Sequence, residues 1–172
     1  MTVFCGCDPG LTGALAFLDT NTAKMSIYDM PTVEITNSGG AKRKHLVPER
    51  LARIVDYHDP EKSLIENVHS TPNDGHVGAF IFGKATGIVW GVFAGLDVPL
   101  EQVTPGKWKK DLRVPADKEE AMIVAGRLLP QCRSLWSRKK DHGRAEAALI
   151  ALYLAILNGF SPSQPITPGK TI

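Results

Sequence analysis

The sequence predicts a single α/β domain in which an antiparallel meander of three strands is followed by alternating helices and strands. Three observations carry this reading. Residues 2–7, 14–18 and 25–30 are short apolar runs separated by the turn-rich segments Asp8-Pro9-Gly10-Leu11-Thr12-Gly13 and Asp19-Thr20-Asn21-Thr22, the pattern of a meander. From residue 48 onward, helical spacing alternates with two further strand-like runs at 63–68 and 98–103, giving the order βββ then αβαβα. Finally, 172 residues with 43% hydrophobic and 22% charged content can bury one core but not two lobes with a cleft between them.

After the meander, Thr36 to His45 is Gly-rich and basic and predicts a mobile loop. Pro48 suits the first turn of a helix over 49–57, where Leu51, Ile54 and Val55 share a face and His58-Asp59-Pro60 ends it. Val77 to Gly95 predicts a helix. Its five glycines (Gly78, Gly83, Gly87, Gly91, Gly95) and Lys84 argue against a membrane span, and the small residues one turn apart allow a second helix to approach closely. Pro115-Ala-Asp-Lys-Glu-Glu begins a helix running to about Leu129, and a last helix spans Asp141 to Leu157, stopped by Asn158-Gly159. Residues 1–160 are therefore the domain and 161–172 a polar, proline-rich tail.

Lys plus Arg (20) against Asp plus Glu (18) leaves a net charge of only +2, so any nucleic-acid surface must be local. Three cysteines, Cys5, Cys7 and Cys132, do not make a disulfide framework and point to a reducing compartment. The first eight residues lack a basic n-region and reach Asp8 before a signal-length apolar stretch develops; the expected location is the cytoplasm, without a membrane.

The candidate chemistry rests on acids. Asp8 ends the first strand beside glycine turns, whose amides it could accept from, and Glu66 follows the apolar Leu64-Ile65, so two strand ends carry carboxylates that burial obliges to find a partner or a metal. His142 and Glu146 are four apart on one face of the last helix, with Asp141 at its mouth, either capping it or serving as a site residue. Three carboxylates plus an imidazole or a fourth acid form a hard, oxygen-rich site suited to Mg²⁺ or Mn²⁺. Two such ions about 4 Å apart activate water and stabilise the leaving oxygen of a phosphodiester. Basic clusters surround these acids: Lys42, Arg43 and Lys44; Lys107, Lys109, Lys110 and Arg113 around Trp108; Lys118; and Arg138, Lys139, Lys140 and Arg144. They suit phosphate, and Trp108 is either core or a platform for a base.

The carriers Cys7-Asp8-Pro9-Gly10-Leu11-Thr12-Gly13, Ile65-Glu66-Asn67-Val68-His69, Phe82-Gly83-Lys84-Ala85-Thr86-Gly87, Val103-Thr-Pro-Gly-Lys-Trp-Lys-Lys110, Asp117-Lys118-Glu119 and Asp141-His142-Gly143-Arg144-Ala145-Glu146-Ala147 together resemble the RuvC-type Holliday-junction resolvases of the RNase H-like superfamily, especially the short phage and prophage forms. The resemblance covers residues 3–158. It implies a central mixed five-stranded sheet flanked by helices, a homodimer through the glycine-bearing helix, and branched DNA as substrate. By it, Asp8, Glu66 and Glu146 are metal-binding acids and Lys118 supports catalysis. The fourth position falls to His142 or Asp141, with His142 preferred. The family's last two ligands are three residues apart, whereas His142 and Glu146 are four apart. His69 stands where the family has an exposed aromatic at the branch point. Lys107, Lys109, Lys110 and Arg144 join it as expected DNA contacts.

The expected activity is therefore a metal-dependent, structure-selective endodeoxyribonuclease that resolves Holliday junctions. An RNase H-like enzyme acting on an RNA/DNA hybrid and a non-catalytic junction-binding protein are the alternatives. An actin-like kinase, whose phosphate hairpin the Asp8–Gly13 segment also resembles, would need a second lobe.

Overall fold

Apolar runs that alternate with turns place β1 (Val3–Asp8), β2 (Ala14–Asp19) and β3 (Lys24–Asp29) in an antiparallel meander. The computed structural model describes residues 2–36, 39–67, 69 and 75–171. A hairpin of β4 (Thr32–Thr36) and β5 (Lys42–Leu46) follows, then α1 (Pro48–His58), β6 (Lys62–Glu66), α2 (Gly75–Gly95), β7 (Leu100–Val103), α3 (Pro105–Leu112), α4 (Lys118–Leu128), α5 (His142–Leu157) and a two-residue β8 (Thr167–Pro168). The main sheet has the order β7-β6-β1-β2-β3-β8 and is mixed, because β6 and β7 add parallel beyond β1.

The period of two along β1 decides what each face meets. Val3, Cys5 and Cys7 join a core with Leu51 and Val55 of α1 and Val89 and Phe93 of α2. Phe4 points the other way, into a core with Ala147, Ile150 and Ala151 of α5. Asp8 shares the parity of Phe4, and Glu66 that of Leu64, which lies in the same α5 core. Cys7 pairs with Ile65 across the parallel β1–β6 ladder. The two acids therefore end adjacent strands at one level, on the face that α5 covers. The helix sits close because Gly6 presents no side chain to it: a Cβ there would lie 2.3 Å from both the Ala147 carbonyl oxygen and the Ala151 nitrogen.

Several segments differ from the sequence expectation. The basic loop predicted over 36–45 is largely the β4–β5 hairpin, whose register sets Glu34 opposite Lys44 and Val33 opposite His45; Asn37 and Ser38 lie outside the described residues. Its strands are exposed along most of their length: Val33 and Ile35 alternate with polar residues in β4 but are themselves exposed, and Lys42-Arg43-Lys44-His45 in β5 carries no apolar alternation. The strand predicted to Val68 ends at Glu66, and Val68 lies outside the described residues. The segment 105–112, given no element by the sequence, is a helix opened by Pro105. The helix expected from Pro115 begins at Lys118, where the Asp117 side chain accepts from the Glu119 and Glu120 amides. The expected polar tail folds back: Ile166 is buried, and Gly169 N–H donates to the Met25 carbonyl at 2.7 Å, which makes β8 a sixth strand.

Helix α2 is 21 residues long and buries only Ala85, Val89 and Phe93. By length and composition it is the one helix among the described residues that could cross a membrane. A Cβ at Gly83, Gly87, Gly91 or Gly95 would meet nothing within 4 Å, so these glycines face away from the helix's own fold.

Candidate active site

The first turn after β1 fixes Asp8. The Gly10 amide donates to its Oδ1 at 3.2 Å, and the turn closes through Gly13 N–H to the Gly10 carbonyl at 2.8 Å. The start of α5 crosses this turn at Gly143, where a Cβ would lie 2.8 Å from Gly13 Cα and from the Thr12 oxygen, and 2.9 Å from Asp8 Oδ2. Two residues without side chains thus let the helix bring His142 and Glu146 to Asp8. The ligand atoms of Asp8, His142 and Glu146 all lie within 4.8 Å of one another. Glu66 lines the same cleft of about 480 Å³ with Thr12, His69, Lys109 and Lys118.

The polar atoms of the cleft have specific partners. Trp108, wholly buried, donates its Nε1–H to Glu66 Oε1 at 2.9 Å, and Lys109 Nζ donates to Glu146 Oε1 at 2.7 Å. His142 Nδ1 is buried without a hydrogen-bond partner among the described residues. Burial, opposed by the Gly10 amide and reinforced by Glu146 and Glu66, pushes Asp8 up to about 7. Burial also raises Glu66, with Trp108 opposing, and lowers His142, with Lys118 adding to the effect. Two carboxyls, Asp8 and Glu66, that burial makes costly to ionise, beside Glu146 and an imidazole nitrogen with no partner among the described residues, fit a divalent cation.

Not every expected site residue reaches this cleft. Asp141 is buried but turned to Arg138, whose Nη2 donates to Oδ1 at 2.8 Å and whose backbone N–H donates to Oδ2 at 3.0 Å. That bonding holds its carboxyl below the usual range, and it makes no side-chain cap on α5. Arg144, expected at DNA, is clamped on Asp29, with Nε to Oδ1 at 2.6 Å and Nη2 to Oδ2 at 2.5 Å, so it ties α5 to β3. Lys107 is ion-paired to Asp111, which also accepts from the Tyr153 hydroxyl. Lys110 is exposed on α3, and His69 is exposed at the cleft.

Two roles escaped the sequence: Trp108 as the donor that fixes Glu66, and Lys109 as the cation on Glu146. The signal in the sequence is the Trp108-Lys109 pair just after Pro105, two adjacent side chains that each end in a hydrogen-bond donor. Trp108→Phe keeps an aromatic ring in the core, though a smaller one, and leaves Glu66 without its donor. The expected result is a ten- to hundredfold loss of phosphodiester cleavage, about 1.4 to 2.7 kcal/mol, with the acid limb of the pH–rate profile moved to higher pH. An unchanged rate and profile would reduce Trp108 to packing.

Two carboxylated strand ends faced by a helix, on a mixed sheet with an antiparallel meander, define an RNase H-like fold. Within that fold the chain is similar to RuvC proteins and to other Holliday junction resolvases. No protein-family model matches it. It is 26% identical over 133 residues to the crossover junction endodeoxyribonuclease RuvC of Acinetobacter baumannii, covering 75% of this chain and 72% of that one. An 84-residue stretch, 48% of the chain, is 31% identical to the chloroplastic Holliday junction resolvase MOC1 of Chlamydomonas reinhardtii, of which it spans only 10%. Among solved structures, T. thermophilus RuvC in complex with a Holliday junction substrate superposes with a TM-score of 0.61 at 18% identity, over 96% of this chain and 99% of that one. The yeast mitochondrial resolvase Ydc2 superposes at 0.54 with 13% identity, over 92% and 81%.

Proposed function

We propose that this chain is a metal-dependent endodeoxyribonuclease that resolves Holliday junctions and related branched DNA. The observation that carries it is the convergence of Asp8, His142 and Glu146 within 4.8 Å, with Glu66 in the same cleft. These four side chains would hold Mg²⁺ or Mn²⁺, which when bound supplies an activated water and charge stabilisation at the leaving oxygen. The remaining work falls to the chain. Asp8 and Glu146 are held in place by the Gly13–Gly143 crossing, Glu66 by Trp108. Lys109 neutralises Glu146 and, with Lys118, offers cations to the phosphate. His69 is exposed where a base can stack on it. Asp141 braces the turn before α5 through Arg138 and takes no part in binding metal.

The open glycine face of α2 supports a homodimer, in which a second copy of the helix packs closely and a two-fold axis relates the two clefts. Two related clefts suit symmetric nicking of a four-way junction. The three free cysteines are buried, in keeping with a reducing, cytoplasmic setting.

The test is a labelled panel of four-way, three-way, flap and linear DNAs and an RNA/DNA hybrid, with Mg²⁺ and Mn²⁺ compared. Paired nicks in the four-way junction, an intact linear duplex and a sedimenting dimer are expected. Cutting confined to the hybrid would replace the reading by an RNase H-like one, and junction binding without any cutting would make the chain a binding module.

A further inference from the structure

We propose a second phosphate site, next to the catalytic cleft, that grips a non-scissile phosphodiester of the DNA strand being cut. It rests on the nuclease reading and adds a contact that positions the strand.

A pocket of about 240 Å³ lies between the turn after β1, the base of the β4–β5 hairpin and the turn that precedes α5. Thr12 lines both this pocket and the catalytic cleft, so the two are contiguous. Its charge is set by which groups are already paired. The two carboxylates at its edge are each held by an arginine, Asp29 by Arg144 and Asp141 by Arg138. Lys44 and Lys140 also line it; both are exposed, and among the described residues neither has an ion-pair partner, although Glu34 stands opposite Lys44 in register. Two cations from segments nearly a hundred residues apart in the chain thus face one concavity beside the acids, where net positive charge attracts a backbone phosphate.

The frame is rigid before DNA arrives. Met30 N–H donates to the Gly13 carbonyl at 3.0 Å and Val47 N–H to the Pro31 carbonyl at 2.8 Å, joining the hairpin base to the turn that carries Thr12. The bidentate Arg138–Asp141 pair, Nε to Oδ2 and Nη2 to Oδ1, braces the turn that carries Lys140. A strand led through the cleft past Thr12 would meet two ammonium groups and a threonine hydroxyl carried on this braced backbone. Such a site recognises a phosphodiester and no particular base.

The test uses the full chain and a labelled four-way junction, with binding measured against salt in EDTA and cleavage measured with Mg²⁺. The double variant Lys44→Ala, Lys140→Ala is expected to bind roughly tenfold more weakly, with a log-affinity slope shallower by about one to two. Lys44→Arg with Lys140→Arg should restore both. Methylphosphonates placed singly along the cut strand should reveal one linkage whose neutralisation weakens the parent and leaves the double Ala variant unchanged. A double Ala variant with the parent's affinity and slope, or equal methylphosphonate penalties in both proteins, overturns the site while the parent still cuts. A parent that binds the junction but never cuts it overturns the nuclease reading alone, and a parent that does not bind junction DNA overturns both.

Discussion

Asp8→Asn is expected to abolish cleavage of a four-way junction, by at least about a thousandfold or roughly 4 kcal/mol on the barrier, while junction binding without metal stays the same or tightens. Asparagine keeps the shape and can still accept from the Gly10 amide, but it offers no negative oxygen to a cation. Removing one of several crowded carboxylates also relieves repulsion of the incoming phosphates. The same variant has a stability signature with a definite sign. Asp8 is raised from 3.8 to about 7 in the folded protein, first by burial, so the folded chain binds that proton more tightly than the unfolded one does. Metal-free parent therefore loses stability as pH rises from about 4 to about 7. Asp8→Asn lacks this loss and should melt higher than the parent at about pH 8 in EDTA. Asp29 and Asp141 act in the opposite sense at a different place: Arg144 and Arg138 hold them low, so their contribution disappears only as pH falls below the ordinary carboxylate range. Adding Mg²⁺ or Mn²⁺ should raise the parent's Tm by mass action and leave the variant's nearly unmoved. Asp141→Asn, away from the cleft, should cut within about tenfold of the parent. An active Asp8→Asn would remove Asp8 from the site.

How far the sequence leads depends on whether a contact follows from period or from packing. Asp8 and Glu66 each close an apolar strand, and the period of two puts each on the side of Phe4 and Leu64. Once β1 and β6 are neighbours, their meeting is nearly determined. His142 and Glu146 follow from a period of 3.6 on a helix apolar enough to be buried. The β4–β5 hairpin was opaque because Lys42-Arg43-Lys44-His45 has no apolar alternation, both its faces being largely wet. Strand β8 is two residues long beside prolines and held by backbone bonds to β3, which no side-chain pattern announces. The pairing of Trp108 with Glu66, of Lys109 with Glu146 and of Arg144 with Asp29 joins residues far apart in the chain whose orientation is set only when α3 and α5 pack. A basic residue near an acid in sequence reads equally as a phosphate contact or as an internal ion pair. Both Lys109 and Arg144 are ion-paired, with Glu146 and Asp29, and what the structure adds is that Lys109 lines the cleft while Arg144 does not.

Gly143→Ala and Gly6→Ala are expected to fail in different ways, and the difference locates the site on the α5–sheet contact. At Gly143 the new Cβ would meet Gly13 Cα and the Thr12 oxygen at 2.8 Å and Asp8 Oδ2 at 2.9 Å. Two of these atoms are backbone and cannot swing aside, so either the first turn of α5 backs away or Asp8 turns out of the cleft. A misplacement of about 1 Å costs on the order of a hundredfold in rate, while one crowded methyl at the helix end costs about 1 to 3 kcal/mol in stability. At Gly6 the clash is at 2.3 Å with the Ala147 oxygen and the Ala151 nitrogen, in the middle of the helix. Relief there requires lifting α5 off the sheet, whose contact with β1 buries Phe4, Ala147 and Ile150 together. Gly6→Ala should therefore lose about 3 kcal/mol or more, a fall in Tm of roughly 6 to 12 °C for a chain of this size, with activity following stability. Gly106→Ala, where a Cβ meets nothing within 4 Å, serves as the neutral comparison. Tm and single-turnover cleavage of a junction, measured on all three variants, separate the two effects. The expected ordering is a larger rate loss for Gly143→Ala and a larger Tm loss for Gly6→Ala. A Gly143→Ala protein that cuts like the parent would mean that Asp8 does not depend on the close crossing of the β1 turn and the start of α5.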